Sequence, residues 1–182
     1  MRENTIQEKA DAFIAQNNLI EILQRYGNTT LVGSYIMQIM TWNDLDVYMD
    51  LADFHPDKYY NLIAELVLEL KPVRYDGICN AEKDTYFLGM EIMYKGERWN
   101  LDIWWKKREE IEAALAYAND LMLQMNQYPY LREAVCEIKR KLIENKLYGF
   151  DKGKKHYHSN EIYEAVFNKG IMSVEDFLKQ NK

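Results

Sequence analysis

Asp44 and Asp46 belong to a stretch in which apolar and polar residues alternate, with Leu45, Val47, Met49 and Leu51 on one side and Asp44, Asp46, Tyr48 and Asp50 on the other. That is the period of a half-buried strand, so Asp44 and Asp46 point the same way. Aspartate is depleted in strands and adjacent like charges on one sheet face repel, so a chain that keeps both needs something to offset the repulsion. A divalent cation would do so. Hard ions such as magnesium take oxygen ligands, and carboxylates on one face can hold an ion that also binds the phosphates of a nucleotide. Upstream, Thr29 to Val32 reads as a short β-branched strand ending in the turn Gly33-Ser34, and residues 35–43 separate that turn from the Asp pair. A helical turn over Tyr35 to Met40 would aim the unpaired N–H groups near Gly33 and Ser34 at an anion. The plainer reading of the same residues is a strand exit with a helix cap.

A further acid, Asp102, sits in the apolar run Trp99 to Trp105. Thr85 to Tyr94 and Glu97 to Trp105 read as a hairpin closed by Lys95 and Gly96. With a two-residue loop Tyr94 faces Glu97, so Glu91 faces Asn100 and Gly89 faces Asp102. Opposed residues share a face, which puts Gly89, Glu91, Asn100, Asp102 and Trp104 on one surface and Leu101, Ile103 and Trp105 on the other. Gly89 is expected to leave open space beside Asp102 for a metal or substrate. Glu91, on the same face, is a candidate general base; a solvent-facing cross-strand pair with Asn100 is the competing reading.

The elements around these residues follow from periodicity. Residues 4–25 predict an amphipathic helix through Ala10, Phe13, Ile14, Ile20, Ile22 and Leu23, stopped at Gly27 and Asn28. Pro56 opens a helix whose stripe runs from Leu62 to Leu70, with His55 as a capping or surface residue, and Val73 to Ile78 predicts a short strand. From Lys106 onward the period is helical: Lys107 to Gln127, a second helix opened by Pro129, and two short helices, the last begun by Ser173 and Asp176. Gly149 to His158 reads as a loop carrying Lys152, Lys154, Lys155, His156 and His158, open to phosphate contact or simply solvated. The fold class is therefore α/β (α+β), a small mixed β-sheet core over residues 1–105 with a C-terminal helical bundle over residues 106–182.

Composition excludes several classes. Hydrophobic residues make up 48% and charged residues 29% of the chain, as in a globular protein. No apolar stretch approaches the roughly 20 residues of a membrane span, and the start lacks the layout of a secretory signal, so the expected location is cytoplasmic. Cys79 and Cys136 have no metal-ligand spacing and read as reduced. The net charge of -6 argues against a life of non-specific contact with extended nucleic acid. The charge is uneven, with 9 basic and 17 acidic residues before Lys106 and 14 and 12 from there on. A carboxylate half facing a phosphate-friendly half would have this split, and so would a solvated surface.

Leu31-Val-Gly-Ser34, the spacer, Asp44-Leu-Asp-Val47 and the later Asp102 together resemble the polymerase-beta-like nucleotidyltransferase superfamily, over residues 28–105. The spacer Tyr35 to Trp42 is bulkier than the glycine-rich spacer common in that family. The resemblance implies that Gly33 and Ser34 grip a triphosphate and that Asp44, Asp46 and Asp102 hold two magnesium ions. It also implies transfer of a nucleoside monophosphate from an NTP such as ATP to an acceptor. Size and acidity favour a small-molecule or protein acceptor. A non-catalytic or antitoxin-like nucleotide-binding protein of the same fold is the alternative.

Overall fold

The computed structural model describes residues 5–149 and 156–181. Lys152, Lys154 and Lys155 of the predicted basic loop lie outside the described residues. The chain divides into two compact units, Met1–Ala118 and Asn119–Lys182, with the boundary inside a helix.

The first unit begins with α1 (Ile6–Gln16) and α2 (Leu19–Gln24), followed by β1 (Thr29–Val32), α3 (Gly33–Ile36) and β2 (Asp44–Asp50). A 3-10 turn leads to α4 (Pro56–Leu70), then β3 (Arg74–Asn80), β4 (Thr85–Tyr94), β5 (Glu97–Lys106) and the first part of α5 (Arg108–Gln127). Where one helix is predicted over residues 4–25, two form, because Asn18 adopts a left-handed φ of 48° and breaks the hydrogen-bond ladder between them. Asn is one of the few residues that tolerates this conformation. Thr5 caps α1 with a full capping box to Glu8, and His55 caps α4 by accepting from the Asp57 N–H at 3.3 Å.

Among the described residues the strands form one mixed sheet in the order β1-β2-β5-β4-β3. β2 and β5 run parallel at its centre, while the other neighbours are antiparallel. The hairpin has the predicted register, with Tyr94 opposite Glu97 and Gly89 opposite Asp102. Its turn residues Lys95 and Gly96 both have positive φ, 50° and 82°, as the favoured two-residue turn requires.

One face of the sheet is closed by the core. Leu45, Val47, Met49, Leu101, Ile103 and Trp105 pack there with α1, α2 and α4, and Phe13 stacks on Trp99 at 5.2 Å and 9°. The other face carries Asp44, Asp46, Tyr48, Asn100, Asp102 and Trp104, all half-buried. The alternation of the sequence is thus the alternation of the two faces.

Asp50 ends β2 almost fully buried, at 4% exposure. Its carboxylate accepts the Ala52 N–H at 2.9 Å and an Arg108 N–H at 2.9 Å. The Ala52 bond, opposed by burial and aided by Arg108, holds its pKa below the ordinary value of 3.8. A carboxyl with a depressed folded pKa contributes stability above its unfolded value, and that contribution is lost as pH falls through the folded one. Asp50→Asn is therefore expected to cost about 1.5–3 kcal/mol in urea denaturation at neutral pH, the range for a hydrogen bond to a charged group. The gap to the wild type should close as pH drops below 3.8.

The second unit is helical, with the end of α5, then α6 (Pro129–Glu144), α7 (Ser159–Tyr163), a π-turn and α8 (Val174–Gln180). α7 and α8 pack on α6, where Leu131, Val135, Ile138 and Leu142 are buried. His158 caps α7 through its backbone N–H to Glu161 at 2.9 Å, and Ser173 caps α8. The expected fold class is the one observed, a small mixed α/β sheet domain followed by helices. No described helix is long and apolar enough to cross a membrane.

Candidate active site

The parallel pairing of β2 with β5 brings Asp46 directly beside Asp102, and Asp44 beside Asn100. Neighbouring strands lie about 4.8 Å apart, and register partners present their side chains to the same face, so the two carboxylates are forced together. The consequence falls on Asp102. Burial, then the Asp46 charge, then the Asp76 charge push the Asp102 carboxyl up to about 6.

Gly33 closes the site from the β1 side. Its φ is 68°, and a Cβ built there would lie 2.3 Å from Asp46 Oδ2, so the Asp46 carboxylate rests in the space a side chain would fill. Only glycine combines that backbone with that approach. Ser34, next in the chain, is buried at 6% exposure as the second residue of α3. Gly33, Ser34, Asp46 and Asp102 thus occupy neighbouring positions, and Asp44 lies one pleat further along the same face.

Two expectations change. The space beside Gly89 is not open, because Phe87 and the Asp76 carboxylate already occupy it; a Cβ on Gly89 would meet the Phe87 ring at 2.8 Å and Asp76 Oδ1 at 3.1 Å. Asp76 is the residue that sequence reasoning missed. Its signal lies in the β3–β4 register, which sets Asp76 opposite Gly89 and so completes a row Asp46–Asp102–Gly89–Asp76 across the sheet. Glu91 does lie on the predicted face, but Arg74 binds its Oε1 at 2.7 Å and Arg98 its Oε2 at 3.0 Å. A carboxylate held on both oxygens by guanidinium groups is poorly placed to collect a proton.

The sequence resemblance implies magnesium, and the carboxylates of this face bear on that expectation. Among the described residues no three His, Cys, Asp or Glu side chains are grouped to hold a metal ion on their own. Asp46 and Asp102 nonetheless suit this cation, because magnesium is commonly bound through one or two carboxylates, with waters and substrate phosphates supplying the other oxygens. A cation between them would also remove the charge repulsion that raises Asp102. A cavity of about 480 Å³ lies elsewhere in this unit, lined by Asn28, Thr30, Asp50 and Arg108 among others, and none of the candidate acids Asp44, Asp46 or Asp102 borders it.

No protein-family model matches the chain, and no curated protein matches it. Solved structures do. The Cid1 poly(U) polymerase, solved with magnesium and 3'-dATP, is 16% identical with a TM-score of 0.64, over 91% of this chain and 50% of that one. A cytoplasmic RNA terminal U-transferase is 14% identical with a TM-score of 0.62, over 91% of this chain and 48% of that one. The polymerase core of TRAMP, an RNA surveillance complex, is 18% identical with a TM-score of 0.58, over 89% and 48%. At these identities the likeness shows a shared fold and nothing finer. The chain spans about half the length of the structures it matches.

Proposed function

We propose that this chain is a magnesium-dependent nucleotidyltransferase, a reading carried by the register pairing of Asp46 with Asp102 against Gly33 on the open sheet face. Gly33 and Ser34 bind the triphosphate through backbone N–H groups and the Ser34 hydroxyl. Asp44, Asp46 and Asp102 are the carboxylates that hold magnesium, with one or two ions shared between protein and phosphates. Bound magnesium supplies positive charge for the triphosphate and lowers the pKa of the attacking hydroxyl. In the reaction an acceptor oxygen bonds to the α-phosphorus, the bond from that phosphorus to the bridging oxygen breaks, and pyrophosphate leaves. Asp102, the carboxylate of the pair that lies on β5, takes the acceptor's proton through an oxygen that magnesium leaves free.

Acidity and size favoured a small-molecule or protein acceptor, but the similar structures lend that choice no support. Two of them, a poly(U) polymerase and an RNA terminal U-transferase, are RNA-modifying by description. The acceptor we favour is accordingly the ribose hydroxyl at the end of an RNA strand.

Incubation with each labelled triphosphate, magnesium, a short RNA and a metabolite pool tests the reading. Pyrophosphate and a label-bearing acceptor are expected. Nucleotide binding without any pyrophosphate would leave a non-catalytic binding protein instead.

Glu91 is assigned a positioning role through its two arginines rather than the proton transfer first expected of it. Glu91→Gln should therefore change turnover by less than about tenfold, whereas loss of a true general base costs about 10²–10⁴-fold. A fall of that larger size, with triphosphate affinity intact, would return Glu91 to the chemistry.

A further inference from the structure

The register that joins Asp46 to Asp102 continues two residues along, pairing Tyr48 with Trp104 and Trp104 with Phe87. These three aromatics form a second row beside the acid row. All are half-buried on the acid-bearing face, and none belongs to the hydrophobic core on the opposite face. Phe87 and Trp104 meet with ring centroids 4.4 Å apart and planes at 35°, and Lys106 Nζ lies 5.6 Å from the Trp104 ring. A strand rises about 3.3 Å per residue, so the aromatic row is offset from the acids by roughly 6.6 Å, a span suited to one ribose.

Position across the sheet decides which nucleotide this row would meet. Gly33 and Ser34 follow β1 and abut Asp46 on β2, so the donor phosphates fall on that side. Trp104 on β5 and Phe87 on β4 lie on the far side of Asp46, next to Asp102 and Gly89. That is the side left to the acceptor.

We infer that Trp104 and Phe87, flanked by Tyr48, are the stacking surface for the terminal base of a single-stranded RNA acceptor, with its reactive hydroxyl at Asp102. This rests on the nucleotidyltransferase reading of the acid row and names a subsite within it. Stacking suits an acceptor of mixed sequence, because every base has a π-face. The net charge of -6 fits recognition of the strand's end rather than its length, since extended backbone binding relies on an excess of lysine and arginine.

The test uses a short single-stranded RNA and the same RNA with an abasic 3'-terminal nucleotide. On the intact RNA, Trp104→Ala should raise the acceptor KM about tenfold, the scale of one base–aromatic stack, with triphosphate affinity unchanged and Trp104→Phe recovering most of the loss. The wild type should lose a similar factor on the abasic RNA, and Trp104→Ala should not distinguish the two. RNA should also quench the tryptophan fluorescence of the wild type, and Trp104→Phe should lose that component, a readout independent of turnover. If Trp104→Ala does not fold, Phe87→Leu takes its place with the same expectations.

An unchanged acceptor KM in the folded variant, equal use of the abasic RNA by the wild type, or transfer only to a small molecule or protein would overturn the inference. Each of these leaves nucleotidyl transfer itself intact. Failure of the underlying reading looks different: no triphosphate is turned over with any acceptor. In that case Trp104-dependent quenching by RNA still supports the stacking surface, and its absence overturns it.

Discussion

Asp46→Asn and Asp102→Asn are each expected to lower nucleotidyl transfer by at least about 10³-fold, the scale on which losing a charge-stabilising group or a general base is felt. The same substitutions should leave the fold intact. In the protein without metal they should even raise its melting temperature slightly, because each removes one of two carboxylates that the β2–β5 register presses together. Wild-type protein should gain stability when magnesium and a triphosphate are added, and both variants should lose most of that gain, since a ligand stabilises only the state that binds it. Thermal unfolding with and without magnesium separates these effects from misfolding. A variant that transfers nucleotide at the wild-type rate would remove that residue from the site.

The second large effect is expected at Gly33. Replacing it with alanine adds two separate penalties. A left-handed φ of 68° costs an L-residue about 1–2 kcal/mol, and the new Cβ would press into Asp46 Oδ2 at 2.3 Å, forcing that carboxylate to turn. Gly96 separates the two, because its φ is 82° and a Cβ there would meet nothing within 4 Å. Gly96→Ala should therefore cost only the backbone strain and keep activity. Gly33→Ala should lose that much stability or more, and should also weaken magnesium–triphosphate binding by at least about tenfold, the size of a disturbed charge-assisted contact. Equal triphosphate affinity in Gly33→Ala and Gly96→Ala, measured by calorimetry, would take the turn out of the site.

Local rules made part of this site readable in advance. Alternation along β2 predicts the shared face of Asp44 and Asp46, and a two-residue turn at Lys95 and Gly96 fixes the pairing of Gly89 with Asp102, because register propagates without ambiguity from a tight turn. What was not readable depends on contacts between distant segments. The parallel pairing that sets Asp46 beside Asp102 links strands separated by α4, β3 and β4, so no single turn dictates it. β3 joins β4 through residues 81–84, a longer loop that leaves several registers open. Asp76 and the Arg74 clasp on Glu91 were missed for that reason. The break at Asn18 was missed because the apolar stripe continues across it, and periodicity reports a face without reporting a kink.

A crystal structure with magnesium and a triphosphate analogue that resists transfer tests the central claim most directly. A magnesium ion is expected between the Asp46 and Asp102 carboxylates, coordinated by phosphate oxygens, with the triphosphate lying against Gly33 and Ser34. A nucleotide bound on another surface, or a metal that touches neither carboxylate, would contradict it.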